Sequence, residues 1–443
     1  MIFLNFIIGS VISFFFLLFC IASVFEKEYR ASLLSAIFLI LNMLFWSMLS
    51  AFQALELIRG LNIAVIISFA IMGAISLIRY FPPMDPVNHE SILQYDERDH
   101  MFSRNALKYN EELRERYYSL HPEKRKADEV IHARKELGEN GSVYYDKYYS
   151  QSFRAGFRFL SRLNKADQGP QNAEVSDISV KELRNAIISI AKNYGAYDIG
   201  FLRLKKHHFY SHRGRHGDKW GEPIVPEHKF GIVIIIAMNI DSIKKAPGIE
   251  TINESARSYV EAGKTAGVIA EYIRLFGFSA KEHTDANYDT ILVPCASDAG
   301  LGEIGRMGLL MHPDLGPCLR ISMVTTSLDL EVGESMRRDE STAYFCKICR
   351  KCAINCPSKS ISYENMPPVS RGTAHWSIDQ EKCYSFWKSI GTDCGFCIRV
   401  CPYTKKNNLF HKFIRFFIRR NFINQHIALI MDDLLYGRKH KIK

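Results

Sequence analysis

Eight of the eleven cysteines in this 443-residue chain fall between Cys346 and Cys401, and their spacing constrains the fold more than any other feature. Cys346, Cys349, Cys352 and Cys356, followed by Pro357, form a C-x2-C-x2-C-x3-C-P run, the spacing of bacterial-type iron–sulfur ligation. The second run is stretched: Cys383 stands apart from Cys394, and Cys394, Cys397 and Cys401-Pro402 then repeat the C-x2-C-x3-C-P ending. In a two-run module the proline turns the chain away after the last thiolate, and the fourth cysteine serves the other cluster. The spacing therefore predicts one [4Fe-4S] cluster on Cys346, Cys349, Cys352 and Cys401, and a second on Cys356, Cys383, Cys394 and Cys397. Zinc knots pair C-x2-C with a distant second pair rather than with a third cysteine two residues on, so iron is favoured over zinc or four disulfides.

Three stretches without a charged residue occupy the amino-terminal part: Ile2 to Phe25, Ala31 to Leu55 and Gly60 to Ile78. At 1.5 Å per residue each is long enough to cross a hydrocarbon layer of about 30 Å. The start lacks the basic region and small-residue exit of a cleaved signal peptide, so residues 1–81 are predicted to be an all-α three-helix transmembrane anchor. Lys27 and Arg30 lie in the first loop, Arg59 alone in the second, and Arg79 opens the charged remainder. Basic loops stay inside, which predicts a multi-pass inner-membrane protein with its large domain in the cytoplasm. The absence of a twin-arginine signal agrees with that side; an outward-facing domain is the alternative.

Pro82-Pro83 ends the third stretch, and residues 82–180 read as a helical, tyrosine-rich linker with a loop over 165–174 around Gly169-Pro170. Residues 181–335 then alternate: a helical period over Lys181 to Asn193, strand-like runs at Asp198 to Leu204, Phe230 to Met238 and Leu319 to Thr326, and a long helix over Ser255 to Leu275. That alternation predicts an α/β layer domain. The cysteine module occupies 336–405, and 406–443 is a basic extension. In its part from Phe410 to Ile430, Lys412, Arg415, Arg419 and Arg420 alternate with phenylalanine and isoleucine; packing of the apolar side on protein is favoured over contact with an anionic membrane surface. The net charge of +10 comes from basic residues interspersed with acidic ones, which argues against a nucleic-acid partner.

Gly300-Leu301-Gly302-Glu303-Ile304-Gly305 matches G-x-G-x-x-G, but Pro294 lies where a dinucleotide fold wants a strand, so the glycines are better read as a tight turn or a backbone approaching a bulky ligand. His207, His208, His212 and His216 crowd one segment, yet Gly214 and Gly217 interrupt any helix that would space them as metal ligands, and a polar loop facing a cleft is favoured.

With these pieces in place the chain resembles the corrinoid-dependent reductive dehalogenases, from about Tyr95 to Gly437. The resemblance rests on Tyr95 to Arg104, Phe209 to Arg215, Glu271 to Gly277, Ala299 to Arg306, the stretched Cys383–Trp387–Cys394 run, and Met431-Asp432-Asp433. It implies a nitroreductase-like α/β domain holding cobalamin with its lower base detached, fed by the ferredoxin-like two-cluster module. It also implies Tyr259 as proton donor, with Tyr210 as a rival, Arg320 as its cationic partner and Asn287 as an accompanying polar residue. Tyr210, His212, Gly300, Gly302, Gly305 and Arg306 are the implied cofactor contacts.

Such a protein would replace halogen on an organohalide with hydrogen, using two electrons and a proton, with lipid as partner through residues 1–80. Quinol, ferredoxin or flavodoxin would supply the electrons. Respiratory members carry a twin-arginine signal and pair with a separate three-span protein; here three spans are fused in front. The competing readings are a corrinoid iron–sulfur reductase of the epoxyqueuosine-reductase type, and a membrane ferredoxin with no substrate site.

Overall fold

The computed structural model describes residues 2–52, 56–81, 94–163, 179–215, 217–285, 287–332, 341–364 and 376–442. The turn expected at Pro82-Pro83, the loop over 165–174 and His216 lie outside them. The chain divides into two compact units, one of Met1–Pro83 with Lys405–His440, the other essentially Met84–Thr404. The extension read from sequence over 406–443 thus shares a unit with the amino-terminal helices as far as His440.

In the first unit α1 (Ile2–Phe25) and α2 (Tyr29–Ala51) form an antiparallel hairpin, followed by α3 (Glu56–Leu77). Among the described residues two helices, not three, are long and apolar enough to cross a membrane: Phe3–Phe25 and Tyr29–Ala51. The apolar part of α3 whose side chains are described, Asn62–Leu77, is shorter. Only 17% of each candidate span is buried, the reverse of a soluble core helix, which hides its apolar face.

The second unit opens with a short helical turn at Glu97–Asp99, then α4 (Met101–Ala106), α5 (Glu111–Leu120), α6 (Pro122–His132) and α7 (Tyr149–Leu163). Buried Arg104 locks this part to the cysteine module, pairing with Asp128 at 2.6 Å and Glu381 at 2.7 Å. Next come α8 (Val180–Asn193), β1 (Asp198–Arg203), β2 (Phe230–Ala237), α9 (Ile240–Ile243), α10 (Ile249–Leu275), β3 (Ala280–His283), α11 (Leu292–Asp298), β4 (Glu303–Ile304), β5 (Leu310–Met311) and β6 (Leu319–Thr326).

The main sheet has the order β1-β2-β6-β3, with every pair antiparallel. Side chains alternate across a strand, so the apolar run of β2 serves two cores. Ile232, Ile234 and Ile236 pack with Leu183 and Ile187 of α8 and Ile269 and Ile273 of α10; Val233 and Ile235 pack on the other face with Ala296 of α11, Leu301, Ile321 and Met323. Ala262, Ala266 and Ala270 let α10 lie close on the sheet. Its amino-terminal half projects toward the cysteine module, so Ser255 and Tyr259, one turn apart, share a face there.

The module is built from α12 (Ser341–Cys349), α13 (Lys351–Asn355), α14 (Gln380–Ile390) and α15 (Phe396–Arg399). Its two halves repeat one local device. Arg350, after Cys349, and Gly395, after Cys394, both adopt the left-handed conformation, at φ 58° and 59°, and each starts the short helix that carries the next cysteine. Beyond the module, α16 (Leu409–Ile418) and α17 (Phe422–Tyr436) belong to the first unit.

Candidate active site and iron–sulfur centres

Cys346, Cys349, Cys352 and Cys401 line one hollow together with Arg306, Met311, Phe345 and Tyr403. Burial pushes the Cys401 thiol up, and its next strongest neighbours are the thiols of Cys346 and Cys349, then Cys352. Cys397, likewise raised by burial, has Cys394 and Cys383 as its strongest neighbours, then Cys352 and Cys356, and Cys394 has Cys383 and Cys356. Cys401 of the second run thus shares a hollow with Cys346, Cys349 and Cys352 of the first, and Cys356 of the first run neighbours Cys394 and Cys397 of the second. Cys356 Sγ also accepts the Ser360 amide at 3.3 Å. The donor set and the hollow fit two clusters of four thiolates each.

Arg306 is buried against the first group: its guanidinium donates to the carbonyls of Cys346 at 3.0 Å and Ser362 at 2.9 Å and lies 5.0 Å from the Trp376 ring centre. The glycines around it are explained by the protein's own packing. A Cβ on Gly302 would strike the Met311 carbonyl, and one on Gly305 would sit 2.7 Å from Met311 Cγ and 3.5 Å from Cys346 Sγ. Gly300, at φ 78°, closes α11. These residues serve the β4-β5 turn beside the cysteine module.

Tyr259 and Arg320 come together from different elements. Arg320 stands near the start of β6, opposite Ile236, with its guanidinium carbon 5.0 Å from the Tyr259 ring centre. Arg320 donates to Ser255 Oγ at 2.7 Å, Ser255 donates to Asp393 Oδ2, and Asp393 lies 3.9 Å from Arg320. Asp393 immediately precedes Cys394, so this polar chain runs from the tyrosine ring to a cysteine of the second group. Burial raises the Tyr259 hydroxyl above its ordinary value, and Arg320 pulls it back. Burial likewise raises the Asp393 carboxyl, against the Ser255 hydrogen bond and the Arg320 charge.

A second constellation faces the same tyrosine. Arg215 lies between Phe102, at 5.3 Å, and Tyr288, at 4.7 Å, and pairs with Glu97 at 3.3 Å. Arg215 and Asp285 both act on Tyr259 and Tyr288, and burial raises Tyr288 well above its ordinary value. Tyr210, raised by burial, packs beside Tyr288 with ring centres 6.4 Å apart. Phe102 in turn packs on Tyr384 and Trp387 of α14, at 5.1 and 6.2 Å. Asn287 neighbours Tyr288, and its buried Nδ2 has no hydrogen-bond partner among the described residues.

His212 is held at the edge of this group by Ser211 at 3.0 Å and Asp96 at 3.3 Å. The ligand atoms of His207, His208 and Asp298 lie within 4.8 Å of one another. His208 Nδ1, however, accepts the Lys205 amide at 3.1 Å, so its Nε2 carries the proton and donates to Asp298 at 3.2 Å. The Lys205 ammonium stands 3.5 Å from the same carboxylate. The trio is a clamp between loop and helix.

Sequence reading left out Ser255, Asp393, Arg215, Tyr288, Phe102 and Trp387 as site residues. Two signals were available: Ser255 stands four residues before Tyr259, and Asp393 directly before Cys394.

Residues 345–405 match the 4Fe-4S dicluster domain. The chain is 34% identical over 195 residues to tetrachloroethene reductive dehalogenase of Desulfitobacterium hafniense, covering 42% of this chain and 34% of that protein. It is 31% identical over 229 residues to the enzyme of the same name from Sulfurospirillum multivorans, covering 50% and 45%. It thus spans less than half the length of these relatives. A solved reductive dehalogenase, whose structure suggests a mechanism for B12-dependent dehalogenation, superposes with a TM-score of 0.64 at 22% identity, covering 82% of this chain and 49% of that one. The fold is that of a reductive dehalogenase carrying a 4Fe-4S dicluster domain.

Proposed function

We propose that the chain is a membrane-anchored reductive dehalogenase, an oxidoreductase that cleaves a carbon–halogen bond, forms a carbon–hydrogen bond, takes up two electrons and one proton, and releases halide. The observation that carries this reading is the placement of Arg320 over Tyr259, with Ser255 and Asp393 joining the pair to the second cysteine group. Similarity to the tetrachloroethene reductive dehalogenases supports it.

The cofactors of this reading are two [4Fe-4S] clusters on the cysteine groups above and cobalamin beside Tyr259, in a nitroreductase-like domain. The buried, unpartnered Nδ2 of Asn287 and Nε of Arg320 are both donors, which suits a ligand fringed with amide carbonyls. When bound, cobalamin supplies the low-potential metal that carries electrons to the carbon–halogen bond. The chain's own residues do the rest. Tyr259 keeps its proton at neutral pH because burial holds its pKa above 10.0, so it can donate at the reacting carbon. Arg320 stabilises the phenolate left behind. Phe102, Tyr288 and Trp387 offer aromatic walls that exclude water from the organohalide.

In this reading α3 crosses the membrane with α1 and α2, giving three spans, and the basic residues of the α1–α2 turn put the catalytic unit in the cytoplasm. Quinol, ferredoxin or flavodoxin supplies the electrons. The test is purification in detergent with cobalamin available, followed by corrinoid extraction and halide release from a panel of haloalkenes and haloaromatics. Tyr259→Phe should abolish halide release with both clusters and corrinoid retained. A corrinoid-bearing protein that releases no halide would favour an epoxyqueuosine-type reduction, and one that binds no corrinoid would leave only electron transfer.

A further inference from the structure

The carboxy-terminal hairpin of α16 and α17 has two sides. One packs within the first unit. Asn408 caps α16 and donates to Glu26 in the α1–α2 turn at 2.7 Å, His411 meets the same carboxylate at 3.3 Å, and Phe410 stacks on Phe19 at 4.6 Å. At the far end Asn421 donates to the carbonyls of Ile75 and Ile78, and Asn424 to that of Ser76, satisfying the last carbonyls of α3. Helix α17 then returns to the α1–α2 turn, where Leu435 packs with Phe19 and Ala31. The hairpin therefore bridges the α1–α2 turn and the carboxy end of α3, two points that lie on one side of a three-span bundle.

Its other side is apolar and uncovered. Leu409, Phe413 and Phe416 on α16, and Ile423, Ile427, Ile430 and Leu434 on α17, recur at spacings of four and three residues and are all exposed, Leu409 to 86% and Ile430 to 66%. Such spacing places each set on one helix face. Lys412 and Arg419 are exposed beside the stripe, and Arg420 lays its guanidinium 4.1 Å from the Phe416 ring centre. Long basic side chains that keep their stems on apolar surface and their charge in water are characteristic of a membrane interface.

We propose that α16 and α17 lie in the headgroup layer of the membrane, apolar stripe toward the acyl chains, and that Lys412, Arg419 and Arg420 bind anionic phospholipid. This rests on the reading of α1 to α3 as membrane spans. Lipid is the occupant argued for because the stripe belongs to the same compact unit as the exposed apolar faces of α1 and α2 and is edged by positive charge, as anionic headgroups require.

The test places the photocrosslinker p-benzoyl-phenylalanine at Ile430, at Val11 on α1 and at Tyr109 on the other unit, in the full chain reconstituted into vesicles of phosphatidylcholine and phosphatidylglycerol. Ile430 and Val11 should capture lipid and Tyr109 should not, with phosphatidylglycerol enriched among the Ile430 adducts. Lys412→Glu with Arg419→Glu should lower that enrichment several-fold. Lipid captured at Val11 but not at Ile430, or an Ile430 crosslink to a second copy of the chain, would overturn the proposal alone. An unchanged phosphatidylglycerol share in the charge-reversed variant would overturn its anionic-lipid part. No lipid at Val11 would overturn the membrane reading itself, and the proposal with it.

Discussion

Arg320 holds its guanidinium carbon 5.0 Å from the centre of the Tyr259 ring, although the two residues come from different elements of the fold. A cation there attracts a phenolate far more strongly than a neutral phenol, so in the proposed function it would selectively stabilise the charge that proton donation by Tyr259 creates. Arg320→Met should lower kcat by roughly a hundredfold with cluster and corrinoid content unchanged. Because Arg320 pulls the raised Tyr259 pKa downward, its loss should also move any alkaline limb of the rate profile to higher pH. A limb that moves down would contradict the assignment.

Ser255 accepts the shortest hydrogen bond of Arg320, at 2.7 Å, beside those to the Leu319 carbonyl and Met238 sulfur, both at 3.2 Å. Ser255→Ala should cost about tenfold in kcat, the scale of one hydrogen bond to a charged group, with KM little changed. Ser255→Thr keeps the hydroxyl and should restore most of the rate. Equal loss in both variants would reduce Ser255 to a packing residue.

The crossing of the fourth cysteines can be separated by mutation. Cys401→Ser should disturb the cluster on Cys346, Cys349 and Cys352, and Cys356→Ser the cluster on Cys383, Cys394 and Cys397. In each case about half the iron, and one of two cluster signals in electron paramagnetic resonance, should change. If both variants alter the same signal, the chain does not cross.

Trp387 lies one helical turn after Cys383 on α14, and its buried indole N–H makes no full hydrogen bond among the described residues. It nevertheless pulls on the Cys383 thiol, which burial raises to about 12. Donors to cluster sulfur raise reduction potential, so Trp387→Phe should make one cluster harder to reduce and leave the other untouched in a redox titration. A shift of both, or of neither, would remove this role.

His283 is buried between the Asp289 amide, which donates to Nδ1 at 3.2 Å, and Thr325 Oγ1 at 2.9 Å. Burial, then the Lys281 charge, pushes its pKa down from 6.5 to about 3. The folded state keeps this ring neutral while an unfolded chain protonates it, so stability is full above about pH 6.5 and is lost as pH falls toward 3. The loss is at most about 1.4 kcal/mol per pH unit. Thermal melts at about pH 7.5 and about pH 5 should show a smaller drop for His283→Asn than for the parent chain; an equal drop would place the acid sensitivity elsewhere.

The parts legible in the sequence are those written by local spacing. The cysteine runs, the helix ending near Leu275 and the strands at Asp198, Phe230 and Leu319 all depend on residues close in the chain, and each falls within a few residues of its expected place. So do two of the three expected apolar spans, whose length and lack of charge need no partner to be recognised. The glycine string shows the limit of that reading. G-x-G-x-x-G reads equally as a tight turn or as a backbone approaching a ligand, and only the fold reveals that Met311 of β5 lies beside Gly302 and Gly305, with Cys346 beside Gly305.

By itself the sequence determined where the thiols cluster, which two amino-terminal helices are long and apolar enough to cross a membrane, and the helix that carries Tyr259. Tertiary structure alone decided what those residues meet. Antiparallel pairing of β2 with β6 brings Arg320 to Tyr259 across 61 residues, and folding of the module onto α10 adds Asp393. The same holds for α16 and α17, whose inner side is defined only by contact with Phe19, Glu26 and the end of α3. A short-range pattern records the chemistry a residue offers. Which other residue completes it depends on long-range packing, where each burial and hydrogen bond is contingent on the whole fold.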